Sequence, residues 1–138
     1  MGAFIIATGA AAFDMQVSMF FTFWGLKAIQ KGNLTGKGLM GRMLGVMNRG
    51  GIDRLGPSKF NFGGMGRWMF KKMMKAHKVT TLPQLLKQAQ DLGVKLTACE
   101  MSMNVMEIKK EDLIDGVQIG GVASFIADAS ESKFSLFI

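Results

Sequence analysis

The stretch from Thr81 to Met106 constrains the fold more than any other. Thr81 is followed by Pro83 and, three residues after itself, by Gln84, the pattern of a capped helix start. Leu82, Leu85, Leu86 and Ala89 recur at helical spacing, and Gly93 stops the run. Val94–Ala98 then reads as a buried strand that ends on Cys99, the single cysteine of the chain. Met101–Met106 turns back into a helix at once. A strand held between two helices in this way belongs to an α/β layer with a mainly parallel sheet.

The flanking segments repeat the alternation. Ala3–Phe13 is small and apolar, which suits a helix packed closely on a sheet, and Asp14-Met15 makes a turn. Gln16–Trp24 is a continuous β-prone run, expected of a strand covered on both faces. A short helix over Gly25–Lys31 ends at Gly32. After Met106 the order is a short helix at Lys109–Ile114, a strand at Val117–Gly120, a helix at Gly121–Ser130 and a last strand at Phe134–Ile138. The 138 residues suit one domain. The apolar stretch Ala3–Leu26 is interrupted by Asp14, whose burial in a spanning helix costs ~2.5–3.5 kcal/mol, so it reads as helix then strand.

Charge divides the chain. Residues 27–78 hold twelve Lys or Arg and one acid, while the remainder holds five Lys and nine acids, so a basic segment of +11 sits on a domain of −4. Within it, residues 33–66 carry ten glycines, and Met40, Met43 and Met47 recur at helical spacing. Met65–Lys78 is a clearer helix, with Met65, Met69, Met73 and Trp68 beside four lysines. We read 33–78 as a basic Gly- and Met-rich insertion. A solvated face over a subunit contact is the simplest account of it. Docking of an acidic protein and contact with an anionic membrane surface are the other two. Nucleic-acid binding is set aside, because no binding motif accompanies the charge.

One cysteine excludes an internal disulfide and a Cys-x-x-Cys redox or zinc site, and it fits a reducing compartment such as the cytoplasm. One histidine, His77, lies among lysines and receives no role. Nothing in the sequence asks for a metal or a cofactor. The methionines read as packing residues, and Gly120-Gly121 carries no phosphate-loop pattern.

FFTFWGL at 20–26, ACEMSMNVM at 98–106, IKKEDLIDGV at 108–117, and GGVASFIADASES with a terminal LFI resemble the DsrE/DsrF-like sulfur-relay family, in its peroxiredoxin-like small branch. The resemblance covers nearly the whole chain. It implies a flavodoxin-like doubly wound fold, homo-oligomers such as trimers or their multiples, and a cysteine that carries persulfide or thiosulfonate sulfur between proteins. Cys99 takes that position. An acidic TusA-like carrier is the partner such a basic insertion would meet. Two features depart from the family. The chain starts inside what should be the first helix, so a first, central strand is absent and two inner sheet edges are expected to lie open. Glu107 also stands where a small residue such as Gly is expected.

Cys99 has two readings. A free cysteine is commonly a buried, inert thiol, and an oligomeric scaffold or membrane-peripheral protein would need no more. A cysteine between a strand and a helix start can instead be a reactive thiolate, because helix-start N–H groups favour the anion. The backbone N–H groups of Met101, Ser102 and Met103 are then the candidate donors to a bound persulfide or sulfonate, while Glu100 opposes the charge. With the family resemblance, sulfur relay by Cys99 becomes the leading expectation, as a carrier more than a turnover enzyme. It needs only one thiol, whereas dithiol redox chemistry needs two.

Overall fold

The structure, a computed structural model, describes residues 1–32, 36, 39–47, 50–54, 65–77 and 79–138. Among the described residues six α-helices and three strands follow one another: α1 Gly2–Ala12, β1 Ser18–Phe21, α2 Leu39–Met47, α3 Met65–Ala76, α4 Leu82–Asp91, β2 Lys95–Cys99, α5 Glu100–Val105, β3 Val117–Gly120 and α6 Val122–Glu131. Short 3-10 helices occupy Phe23–Ile29, Ile52–Arg54 and Lys110–Asp112.

The three strands form one parallel sheet in the order β1-β2-β3. β2 is central and covered on both faces: Leu96, Thr97, Ala98 and Cys99 are all buried. Register partners share a face. Phe20, Thr97 and Gln118 therefore point one way, and Phe21, Ala98 and Ile119 the other. α6 covers the first face. Its Phe125 ring lies 5.3 Å from Phe20, and its Asp128 accepts hydrogen bonds from Ser18 and Lys95 at the start of β1 and β2. α1 and α4 pack together over the second face, with Phe4 6.0 Å from Phe21. Phe4, Leu26, Ile29, Leu85, Leu86 and Leu96 make the centre of this core. Helices on both faces of a parallel sheet give the doubly wound α/β class.

α4 forms as its sequence dictates. The Thr81 N–H donates to Gln84 Oε1 at 2.9 Å and the Thr81 hydroxyl at 2.8 Å. Leu85, Leu86 and Ala89 are buried, and Gly93 leaves the helix at φ +75°, a conformation that glycine adopts without strain.

Four expectations change. The run 16–24 is strand only over Ser18–Phe21, because Phe23 sits at φ +39° and turns the chain into a 3-10 helix. The open inner edges do not occur between β1 and β2. The two strands pair directly from Ser18↔Lys95 to Phe21↔Ala98, so each satisfies the other's backbone groups. The expected helix at 109–114 is a single 3-10 turn, because residues 112–114 bond to the end of the first 3-10 helix instead. Lys31 N–H donates to the Asp112 carbonyl at 2.8 Å and Ile114 N–H to the Ile29 carbonyl at 2.9 Å. The last expected strand, Phe134–Ile138, is irregular and exposed, since it joins no strand among the described residues.

α2 and α3 both form within the basic insertion, whose residues 33–35, 37, 38, 48, 49, 55–64 and 78 lie outside the described set. Met40, Met43, Met47, Met65, Trp68, Met69 and Met73 are exposed, so these side chains do not join the core of the single chain. Lys72 Nζ sits 5.3 Å from the centre of the Trp68 ring. Among the described residues no helix is long and apolar enough to cross a membrane.

Candidate functional site

Cys99 is the last residue of β2 and the N-cap of α5, with φ −71° and ψ 115°. Its extended backbone ends the ladder, and the next residue begins the helix without a connecting loop. The residue is 2% exposed. Its neighbour across the sheet is Gly120 at the end of β3.

The first turn of a helix capped at Cys99 leaves the N–H groups of Glu100, Met101 and Ser102 without acceptors inside the helix, whereas the Met103 N–H bonds to the cap carbonyl. Of the three expected donors, Met101 and Ser102 thus lie on the open turn. Met103 contributes a buried side chain, while that of Met101 is exposed. Asn104 is exposed, as expected of a solvent-facing residue.

Two buried hydroxyls lie close to Cys99 in the fold. Ser102 is fully buried three residues on, at the position that faces an N-cap side chain, and its Oγ has no hydrogen-bond partner among the described residues. Thr97, two residues back on the same face of β2, is also buried, and its Oγ1 likewise has no partner. A buried hydroxyl left unpaired costs about 1–3 kcal/mol. Both hydroxyls belong to the two elements that meet at Cys99, β2 and α5.

The far end of α5 explains the second family departure. Glu107 has φ +51°, with the Ile108 N–H bonded to the Met103 carbonyl at 2.9 Å. That left-handed closure is where a glycine fits best, hence the small residue expected there. The Glu107 carboxylate lies against Gly41, at a point where a Cβ on Gly41 would strike Oε2. A helix of the insertion thus touches the end of the cysteine helix.

Sequence reasoning passed over Lys27 and Gln30. Lys27 is 2% exposed, between Leu26 and Ala28, and burial lowers its pKa from the ordinary lysine value. It forms no ion pair among the described residues. Gln30 is equally buried, and neither its Oε1 nor its Nε2 has a partner among them. The signal was a single lysine inside the apolar run Leu26–Ile29. His77 is exposed, and no cluster of His, Cys, Asp or Glu among the described residues could hold a metal ion.

The class defined by this fold and site is a doubly wound α/β protein with one thiol at a strand–helix junction. The model of the DsrE/DsrF/DrsH-like family matches residues 1–137, and the chain belongs to that family. It is 48% identical over 140 residues to the uncharacterized protein YrkE of Bacillus subtilis, covering 100% of this chain and 88% of that protein. It is 34% identical over 142 residues to the sulfur carrier protein DsrE2 of Allochromatium vinosum, covering 98% of this chain and 87% of that protein.

Proposed function

We propose that the protein is a sulfur carrier that holds sulfane sulfur on Cys99. The observation that carries this reading is the position of Cys99 as N-cap of α5, with the buried, unpaired hydroxyl of Ser102 at the facing position. Kinship with a protein named as a sulfur carrier supports it.

In the loading step the Cys99 thiolate attacks the outer sulfur of a donor persulfide. A bond forms between Sγ and that sulfur, the donor's S–S bond breaks, and the electron pair leaves with the donor thiolate. Unloading is the same exchange with an acceptor thiolate as the attacker, so no net oxidation occurs and one cysteine suffices. The persulfide is anionic. The N–H groups of Met101 and Ser102 and the Ser102 hydroxyl are donors suited to it, and the buried Met103 side chain keeps water away. Burial of Cys99 protects the loaded sulfur and requires the junction to open at each transfer.

The same proposal includes a homo-oligomer in a reducing, cytoplasmic setting, because α2 and α3 expose apolar residues that a neighbouring subunit can cover. It includes an acidic carrier of the TusA type as exchange partner, drawn by the +11 charge of residues 27–78. Intact mass after incubation with a persulfidated donor tests the relay. An added sulfur that is absent from Cys99→Ser supports it. No adduct on the native chain, with slow alkylation of its thiol, overturns it and leaves the scaffold reading.

A further inference from the structure

β1 has β2 on one side and, among the described residues, no strand on the other. Lys95 N–H donates to the Val17 carbonyl at 2.9 Å. Successive residues of a strand turn their backbone groups to opposite sides. Val17, Met19 and Phe21 therefore face β2, while Ser18 and Phe20 face outward. The outward N–H and C=O groups of Ser18 and Phe20 have no backbone partner among the described residues. Ser18 is exposed, and Met19 and Phe20 are half-buried, as an uncovered edge leaves them. Such an edge is a template for another strand.

The segment after α6 is its counterpart. Phe134–Ile138 is apolar and β-prone, with Phe137 98% and Ile138 75% exposed, and it joins no strand among the described residues. Topology directs it to β1 and not to the outer edge of β3. α4 lies over the second face and leads into β2, the next strand after β1 in the sheet. α6 lies over the first face and leaves β3. Connections between parallel strands are right-handed, so those on opposite faces advance across the sheet in opposite directions. A strand after α6 comes back past β2 to the outer side of β1. The contacts of α6 agree with this path. Phe125 lies 5.3 Å from Phe20, and further along the helix Asp128 accepts from Ser18 Oγ at 2.8 Å. Only Ser132 and Lys133 then separate α6 from Phe134.

Within one chain the edge and the segment stay unpaired at the same corner of the sheet. We infer that the outer edge of β1 receives Phe134–Ile138 of a second copy, and that the exchange is reciprocal. Each copy offers one open edge and one unpaired strand. Two copies related by a two-fold axis satisfy both, so the contact closes at a pair. Main-chain hydrogen bonds to Ser18 and Phe20 hold the incoming strand, and burial of its apolar side chains adds to them. The pairing rests neither on the sulfur chemistry nor on the exposed faces of α2 and α3.

Light scattering after gel filtration tests it on three proteins: the native chain, a chain ending at Lys133, and Leu136→Pro. The proline keeps the full length and blocks strand pairing. Both variants should have about half the native mass, because one two-fold contact is lost. Amide exchange locates the contact. The N–H groups of Ser18 and Phe20 should be protected in the native chain and exchange faster in both variants. Equal masses of the three proteins overturn the proposal. Protection of these amides in a native chain of monomer mass also overturns it, since the chain's own segment then closes the edge. Fast exchange of both amides in the native chain does the same. Sulfur loading of Cys99 is read separately by intact mass, so the relay and this pairing stand or fall apart from one another.

Discussion

A Cβ on Gly120 would lie 2.9 Å from Thr97 Cγ2 and would strike Ser124 Oγ. β3 can therefore end beside β2, and α6 can start above it, only because residue 120 has no side chain. Gly120→Ala should lower stability by about 1–3 kcal/mol, the usual penalty for overpacking. Adding Ser124→Ala removes one of the two collisions and should recover part of that loss in a double-mutant cycle read by urea denaturation. Full additivity of the two changes would show that the contact is not the cause. Gly120 is also the register partner of Cys99, so the single variant should speed alkylation of the buried thiol as the junction loosens.

α6 is held at its other end by charge. Asp128 Oδ2 lies 2.9 Å from Lys95 Nζ and accepts from Ser18 Oγ at 2.8 Å. The hydrogen bond from Lys95 and then that from Ser18 hold the Asp128 carboxyl below the usual aspartate range. A folded-state pKa below the unfolded one means stability that is present above the unfolded value and lost as pH falls through the folded one. Anchoring of α6 should thus weaken in acid, below about pH 4. Amide exchange of α6 against pH checks this. Asp128→Asn should exchange faster at neutral pH and show no further change on acidification.

Much of the fold was legible because its signals are local. The Thr81–Gln84 cap, the leucines of α4 and the strand ending on Cys99 are fixed by residues within a few positions of one another. The failures are long-range. Nothing local to Phe23 announces φ +39°, and nothing in residues 109–114 shows that Ile114 bonds to Ile29, 85 positions earlier. Direct pairing of β1 with β2 likewise depends on what the rest of the sheet supplies. At the candidate site, Cys99 and Ser102 were visible as a strand–helix junction. The burial of Thr97 followed from the buried strand Val94–Ala98, whereas that of Lys27 and Gln30 did not, because polar residues in short elements look solvated until their neighbours are placed.

Lys27 gives a stability test that is independent of any ligand. Burial lowers its folded-state pKa, so between that value and the unfolded value of about 10.4 the unfolded chain binds more protons. Stability should rise with pH across that window, as the partly desolvated Lys27 ammonium becomes neutral. Lys27→Met removes the charge and keeps the bulk. It should raise stability at pH 7 by on the order of 1 kcal/mol and abolish the rise at high pH. Thermal melts of both proteins from pH 7 to 11 measure it. A variant that melts lower than the native chain at pH 7 would mean that the ammonium is already satisfied.

Ser102 separates stability from function most cleanly. Its hydroxyl is fully buried and unpaired among the described residues, so in the unloaded protein it contributes desolvation cost and no bond. Ser102→Ala should leave the unloaded chain as stable as before, or raise its stability by up to about 1 kcal/mol. On the relay reading the loaded state differs, because the hydroxyl donates to the Cys99 persulfide anion. Loss of that charged hydrogen bond should shorten the lifetime of the persulfide by about tenfold. The comparison needs two measurements on each protein, a denaturation curve without sulfur and a time course of the sulfur adduct by intact mass. Unchanged stability with a shortened adduct lifetime assigns Ser102 to the sulfur. If stability falls and the adduct persists, the hydroxyl is structural and the anion at Cys99 is held by the backbone alone.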